Sequence, residues 1–279
     1  MAYLKINGFR CHYDYLRQAG NAPCVVFLNG IMSALESWTG QVPLARQLGF
    51  NVLQFEYRGQ WRSEVTPGPY RMQTHVDDLQ ALLAELGIDR AHFVGTSYGG
   101  MTSMKFACQH PGIVESLMLI TTAALIRPLP RQILATWQRL AEQNDIENLL
   151  LTALPDLYSE ACLQSRPGLI SERLASFRAI LAELPDFCAG QTLLNAAQFP
   201  DLGDGSLFAG IAGIRCPTLV LAAGEDRLYP PEDSRAIVGQ IPGAQFLTVP
   251  GAGHALVAER PEAVNTVLAG HLLARLQAQ

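Results

Sequence analysis

The sequence predicts an α/β chain: a mostly parallel, eight-stranded sheet flanked by helices, with a helical segment inserted after the sixth strand. Three observations carry this. Short, continuously apolar runs of strand length alternate with longer stretches of helical spacing, as expected where strands are covered on both faces. The alternation stops after Thr122 and resumes at Thr218. The 279 residues are 49% hydrophobic and 16% charged, without like-charge blocks, so a large core can form and disorder is excluded.

The elements follow in order. Tyr3–Ile6 and His12–Tyr15 flank Asn7-Gly8, a pairing that suits an antiparallel hairpin at a sheet edge. Val25–Leu28, Asn51–Phe55, His92–Val94 and Leu117–Ile120 are the next strands, with helices between them at about 42–48, 74–86 and 99–109. In the second helix, Val76, Leu79, Leu82, Leu83 and Leu86 recur at spacings of three and four, and Gly87 follows as a stop. Alternating strand and helix implies parallel pairing. Between Ile126 and Gly213 the apolar residues keep helical spacing, interrupted at Pro128, Pro130, Pro155, Pro167, Pro185 and Pro200. Thr218–Ala223 and Phe246–Val249 resume the buried-strand pattern, and Pro261–Leu276 reads as a final helix. The expected division is therefore a core of residues 1–124 and 214–279, with a helical insertion at 125–213.

Composition narrows the function classes. Twenty Lys and Arg against 25 Asp and Glu give a net charge of −5, and without a basic stripe a nucleic-acid partner is not expected. The N-terminal Met-Ala-Tyr-Leu-Lys-Ile-Asn-Gly lacks a basic region leading into an apolar stretch, so no export signal is expected and the cytoplasm is the default location. The most apolar window, Leu117–Ile126, is far short of the roughly 18 to 20 residues that span a bilayer. Six cysteines are scattered without a C-x-x-C pair, and Cys11-His12 and Cys108-Gln109-His110 lack zinc spacing. They read as small buried hydrophobes, and no metal or cofactor is expected.

The chemistry is concentrated in Gly95-Thr96-Ser97-Tyr98-Gly99-Gly100, between a strand and a helical stretch. Small residues on both sides of Ser97 let the backbone make a sharp turn that lifts the hydroxyl above the sheet. A serine hydroxyl is a poor nucleophile near neutral pH and needs a base, itself oriented by a carboxylate. His254, in Gly251-Ala252-Gly253-His254, directly follows one strand, and Asp226, in Gly224-Glu225-Asp226-Arg227, directly follows another. Active sites of open parallel sheets assemble at such strand ends. Glu225 is the rival carboxylate. The remaining five histidines fall on the hairpin, within a strand or at helix ends and read as structural. Oxyanion donors are expected from the backbone N–H groups of Tyr98 and Ile31, with Met32 as the alternative to Ile31 and Gly30 permitting the turn.

These residues resemble the α/β-hydrolase superfamily over almost the whole chain, from the hairpin through Ser97 to His254. Phe55-Glu56-Tyr57-Arg58-Gly59-Gln60-Trp61-Arg62-Ser63 is similar to the family's F-D-x-R-G-x-G-x-S loop, with Glu56 for Asp and Trp61 for Gly. A third departure is Asn29, where many members carry His; Asn-Gly there is similar to acyltransferases that move 3-hydroxyacyl chains from a carrier protein. Those enzymes tend to have Trp after the nucleophile and lack the Arg-Gly loop, and the pattern is closer to small esterases and lactonases. The segment after Thr122 resembles the superfamily's helical lid. Its apolar residues, including Leu125, Leu129, Trp137, Leu149, Leu150 and Phe187, are candidate pocket or lid-core residues, and Asn29 and Met32 are candidate pocket residues beside them.

The resemblance implies a serine hydrolase acting on a carboxylic ester, lactone or thioester, through an acyl-enzyme on Ser97 with His254 as base and Asp226 as orienting carboxylate. The alternatives are an acyltransferase taking the chain from a carrier protein or CoA to an alcohol or thiol, and a non-catalytic binding module on the same fold. The expected partner is a small-molecule acyl substrate, without nucleic acid or membrane insertion; oligomeric state and acyl chain are not legible.

Overall fold

A computed structural model describes residues 1–277. The first part of the chain forms β1 (Ala2–Ile6), β2 (Phe9–Leu16), β3 (Cys24–Leu28), α1 (Gln41–Gln47), β4 (Asn51–Phe55), α2 (Met72–Glu85), β5 (Ala91–Thr96), α3 (Tyr98–Gln109) and β6 (Val114–Ile120). Six helices follow: α4 (Pro128–Glu142), α5 (Ile146–Leu157), α6 (Glu160–Ser165), α7 (Leu169–Leu181), α8 (Phe187–Gly203) and α9 (Ser206–Gly210). The sheet resumes with β7 (Thr218–Ala223), α10 (Pro231–Gln240), β8 (Gln245–Val249), α11 (Leu256–Glu259) and α12 (Pro261–Leu276).

One eight-stranded sheet results, in the order β1-β2-β4-β3-β5-β6-β7-β8. β1 pairs antiparallel with β2, and β2 with β4; all later pairs are parallel. The β1–β2 turn has Asn7 at φ 44° and Gly8 at φ 80°, the two left-handed positions whose twist matches that of the strands they join. Parallel strands all deliver their C-terminal ends to the same sheet edge, and that edge carries the site.

The two faces of the sheet bury separate cores. On one, Met72, Val76 and Leu79 of α2 and Met101, Met104 and Phe106 of α3 pack with Val26, Leu28 and Phe93. On the other, Trp38, Val42, Ala45, Val264, Leu268 and Leu272 pack with Val25, Phe27 and Val94. The first core runs on into the helical insertion through Leu134, Trp137, Leu149 and Leu194, so the insertion shares apolar contacts with the sheet layer. Among the described residues, no helix is long and apolar enough to cross a membrane.

Two sequence expectations change. Phe246–Val249 lies in β8, the last strand of the sheet, with a partner on one side only, and Leu247 is 45% exposed; an apolar run does not distinguish an edge strand from a central one. Pro155 and Pro200 do not break their helices: they lie inside α5 and α8, close to the C-terminal ends, where each removes one N–H from the ladder with only a few helical residues left to follow. Pro128 and Pro130 instead open α4, the position at which a fixed φ favours a helix.

Candidate active site

Ser97 sits between β5 and α3 with φ 52° and ψ −119°, a backbone conformation that L-residues adopt only when the surroundings impose it. The surroundings are backbone. A Cβ on Gly95 would lie 2.4 Å from the Gly99 carbonyl oxygen, and one on Gly99 would lie 2.1 Å from the Leu28 carbonyl oxygen. Glycine is therefore required for α3 to start so close to β5 and β3. The Ser97 N–H donates to the Ile120 carbonyl at 2.9 Å and the Thr122 hydroxyl donates to the Ser97 carbonyl at 2.7 Å, fixing both peptide groups of the turn.

Asp226 and His254 are brought together: Nδ1 of His254 lies 2.8 Å from Oδ2 of Asp226, and both residues are buried. The other carboxylate oxygen accepts the N–H groups of Leu228 and Tyr229, each at 2.9 Å. Glu225, the rival carboxylate, is exposed. With Nδ1 engaged, Nε2 is the nitrogen left to meet a hydroxyl; no hydrogen bond between Ser97 Oγ and His254 is formed among the described residues. Such contacts are often long before substrate binds.

The Gly30–Met32 loop lies beside Ser97, since a Cβ on Gly30 would come within 3.3 Å of Ser97 Cβ. A Cβ there would also press on Ser33 Oγ at 3.3 Å, and the tight turn that sequence reasoning expects at Gly30 is closed by the Ser33 N–H donating to its carbonyl at 3.1 Å, without a left-handed φ. Gln60, which that reasoning missed, is fully buried and clasps the loop. Its amide nitrogen donates to the carbonyls of Gly30 at 2.7 Å and Ile31 at 3.0 Å, while its oxygen accepts the Tyr57 N–H at 3.1 Å. In a planar trans peptide the N–H points opposite to the carbonyl. Holding the Gly30 carbonyl on Gln60 therefore turns the Ile31 N–H away from Gln60. Neither the Ile31 nor the Tyr98 N–H donates to an acceptor among the described residues. Spacing gave no signal for Gln60; its place in the Phe55–Ser63 loop is the one hint.

Asn29, expected at the pocket, belongs to the core instead. It is fully buried, its oxygen accepts the Trp38 indole N–H at 2.7 Å, and its nitrogen donates to the Phe55 carbonyl at 3.0 Å. Trp61 has φ 43° and stacks on Phe177 of α7, with ring centroids 5.4 Å apart, and packs on Phe187 of α8 at 5.2 Å. Leu125 and Leu129 are 38% and 63% exposed, whereas Leu149, Leu150 and Phe187 are buried in the shared core.

Two cavities lie along the insertion. The larger, about 790 Å³, is lined by Arg127, Leu129, Ile133, Asp156, Asp226 and Arg227 among others. The smaller, about 10 Å³, is lined by Ile31, Met32, Trp137, Ala141, Leu149, Gln191 and Asn195, so Met32 and Trp137 do face a cavity beside the Ile31 loop. In the core, His75 Nδ1 lies 2.6 Å from the Tyr98 hydroxyl. Burial, reinforced by the Arg58 charge, pushes the His75 imidazole down to about 3, so it is neutral.

The comparisons agree with this architecture. A family model for the alpha/beta hydrolase fold matches residues 23–261. The "Putative carbamate hydrolase RutD" of Pantoea ananatis is 28% identical over 259 residues, covering 90% of this chain and 89% of its own. The enol-lactonase of Burkholderia xenovorans superimposes with a TM-score of 0.84 at 27% identity, covering 98% of this chain and 100% of its own. The thermophilic esterase of Thermogutta terrifontis does so with a TM-score of 0.80 at 25% identity, covering 99% of each. With its sheet order, its strained serine turn and a family match across most of its length, the chain belongs to the alpha/beta hydrolase fold family.

Proposed function

We propose that this chain is a serine hydrolase that cleaves a carboxylic ester or lactone, with a thioester as a further substrate of the same chemistry. The observation that carries the reading is the strained Ser97 turn at the same sheet edge as the Asp226–His254 pair, whose Nδ1–Oδ2 distance is 2.8 Å. Ser97 Oγ attacks the acyl carbon while His254 Nε2 takes its proton, and the Asp226 carboxylate stabilises the imidazolium that forms. The N–H groups of Ile31 and Tyr98 hold the developing oxyanion. The C–O bond to the leaving group breaks as His254 returns the proton to that oxygen. Water, deprotonated by the same imidazole, then releases the acyl group and restores Ser97. Residues 125–213 act as a lid over a core of 1–124 and 214–279.

The similar proteins support this class. A lactonase and an esterase are among the structural neighbours, and the similar curated proteins carry the name "Putative carbamate hydrolase RutD"; a carbamate carbonyl is open to the same attack. The acyl-transfer alternative drew on Asn29 and the apolar lid; the Asn29 side chain is engaged in the core, and the lactonase and esterase neighbours favour water as the acceptor. The test is a panel of p-nitrophenyl esters, lactones, thioesters and carbamates of graded size, with Ser97→Ala as the blank. The expected result is turnover on an ester or lactone that falls by roughly 10⁴-fold in the folded alanine variant. Equal turnover by Ser97→Ala overturns the reading.

A further inference from the structure

We infer that Glu259 is a positioning residue that ties the helical insertion to the peptide carrying His254; this rests on the triad reading above. The loop between β8 and α11 contains Gly251 and Gly253 and has few side chains of its own to hold His254 in place. Glu259, at the end of α11, folds back and supplies the anchor. One carboxylate oxygen accepts the Gly253 N–H at 3.0 Å and the Ser159 N–H at 3.1 Å. The other accepts the Ser159 hydroxyl. Ser159 is 1% exposed and caps α6, its oxygen accepting the Cys162 N–H at 3.1 Å.

The residue on the other side of His254 is tied to the same place. The Ala255 N–H donates to the Leu157 carbonyl at 2.7 Å. Both neighbours of His254 therefore depend on residues 157–159, the junction of α5 and α6. The two segments touch backbone to backbone, since a Cβ on Gly253 would lie 2.5 Å from the Ser159 nitrogen. Hydrogen bonds to a carboxylate are stronger than neutral ones, and here one charged group takes three of them, two from Ser159 across the contact and one from Gly253 on its own side. The imidazole is consequently set against Asp226 while the insertion is docked, and undocking residues 157–159 releases the peptide on either side of it. A group that only held the fold together would change how many molecules are active. A group that positions His254 changes how fast each active molecule reacts.

The experiment compares wild type, Glu259→Gln and Ser159→Ala by the rate and end point of fluorophosphonate labelling, and by kcat and KM on one turned-over ester. Glutamine keeps the size of the side chain but removes the charge behind all three bonds, and only one of its two terminal atoms accepts, so the atom facing the Ser159 hydroxyl becomes a donor. The expected result is full labelling at the end point in all three. The labelling rate and kcat of Glu259→Gln fall together by roughly 10- to 100-fold, as small misplacements of reacting groups do, with KM little changed. Ser159→Ala shows a smaller loss of the same kind, and adding it to Glu259→Gln costs little more, because the two changes break one linkage. If Glu259→Gln does not fold, Ser159→Ala alone decides. Wild-type labelling rates in the variants, or losses matched by a fall in the labelled fraction, overturn the inference. A wild-type chain that does not label overturns the Ser97 reading and this inference with it.

Discussion

The side-chain amide of Gln60 donates to the Gly30 carbonyl at 2.7 Å, and through the planarity of that peptide it sets the direction of the Ile31 N–H. A residue with no chemistry of its own thereby aims a proposed oxyanion donor.

Gln60→Met keeps the volume and removes both donors. Each carbonyl keeps one other partner, Ser33 N–H at 3.1 Å for Gly30 and the Gln191 amide at 3.2 Å for Ile31, so the loop loosens without unravelling. The expected cost is about 1–3 kcal/mol of stability from the broken buried bonds. The expected loss in kcat approaches the roughly 100-fold of removing one oxyanion donor, with a smaller change in KM. Urea melts and steady-state kinetics on the same preparation check both.

The strain at Ser97 makes a second prediction. Glycine tolerates φ 52° where alanine does not, so Ser97→Gly is expected to be more stable than Ser97→Ala by about 1 kcal/mol, with both inactive. This reverses the usual order of the two residues, and thermal melts of the pair measure it.

Trp61 gives the same reversal with a larger loss. Its ring stacks on Phe177 and joins the Phe55–Ser63 loop to the insertion. Removing it in Trp61→Ala should cost about 3 kcal/mol. Trp61→Gly should cost about 1 kcal/mol less than that, because φ 43° is strained for alanine. Denaturant midpoints of the two variants decide it.

Buried neutral histidines make the fold sensitive to acid. His271 Nε2 shares a hydrogen bond with the Ser116 hydroxyl at 2.9 Å, which also meets His92 Nδ1 at 2.9 Å. Burial, with Arg275 and His92 close by, pushes His271 from 6.5 down to about 4. Burial also lowers His92, against the opposing Glu115 charge. Between those pH values the unfolded chain binds a proton that the native chain refuses. Stability from His271 is thus complete above pH 6.5 and is lost as the pH falls toward 4. His75, pushed down to about 3, acts in the same direction. Asp233, which burial pushes up to about 6, opposes them over part of the window. Urea melts at about pH 7.5 and about pH 5 should show a net loss on acidification, and His271→Gln should shrink it by on the order of 2 kcal/mol.

Much of the fold is legible in the sequence because the signals are local. Asn7-Gly8 gives the hairpin, uninterrupted apolar runs give β3 to β7, and Pro261–Leu276 matches α12 to the residue. The candidate residues are legible as positions after strands, and Asp226 and His254 do meet. What is not legible depends on partners distant in sequence. Asn29 turns inward because Trp38 and Phe55 offer bonds there. Gln60 acts on carbonyls 29 and 30 residues away. Whether an apolar strand lies at an edge depends on how many neighbours the topology gives it, as β8 shows.

The central claim is that Ser97 is a nucleophile made reactive by its turn and by His254. Intact-mass measurement after fluorophosphonate treatment, followed by peptide mapping, addresses it directly. The account predicts a single phosphonyl adduct on the peptide containing Ser97, absent from folded Ser97→Ala and slow to form in His254→Asn. An unlabelled wild-type chain, or an adduct that persists in Ser97→Ala, contradicts it.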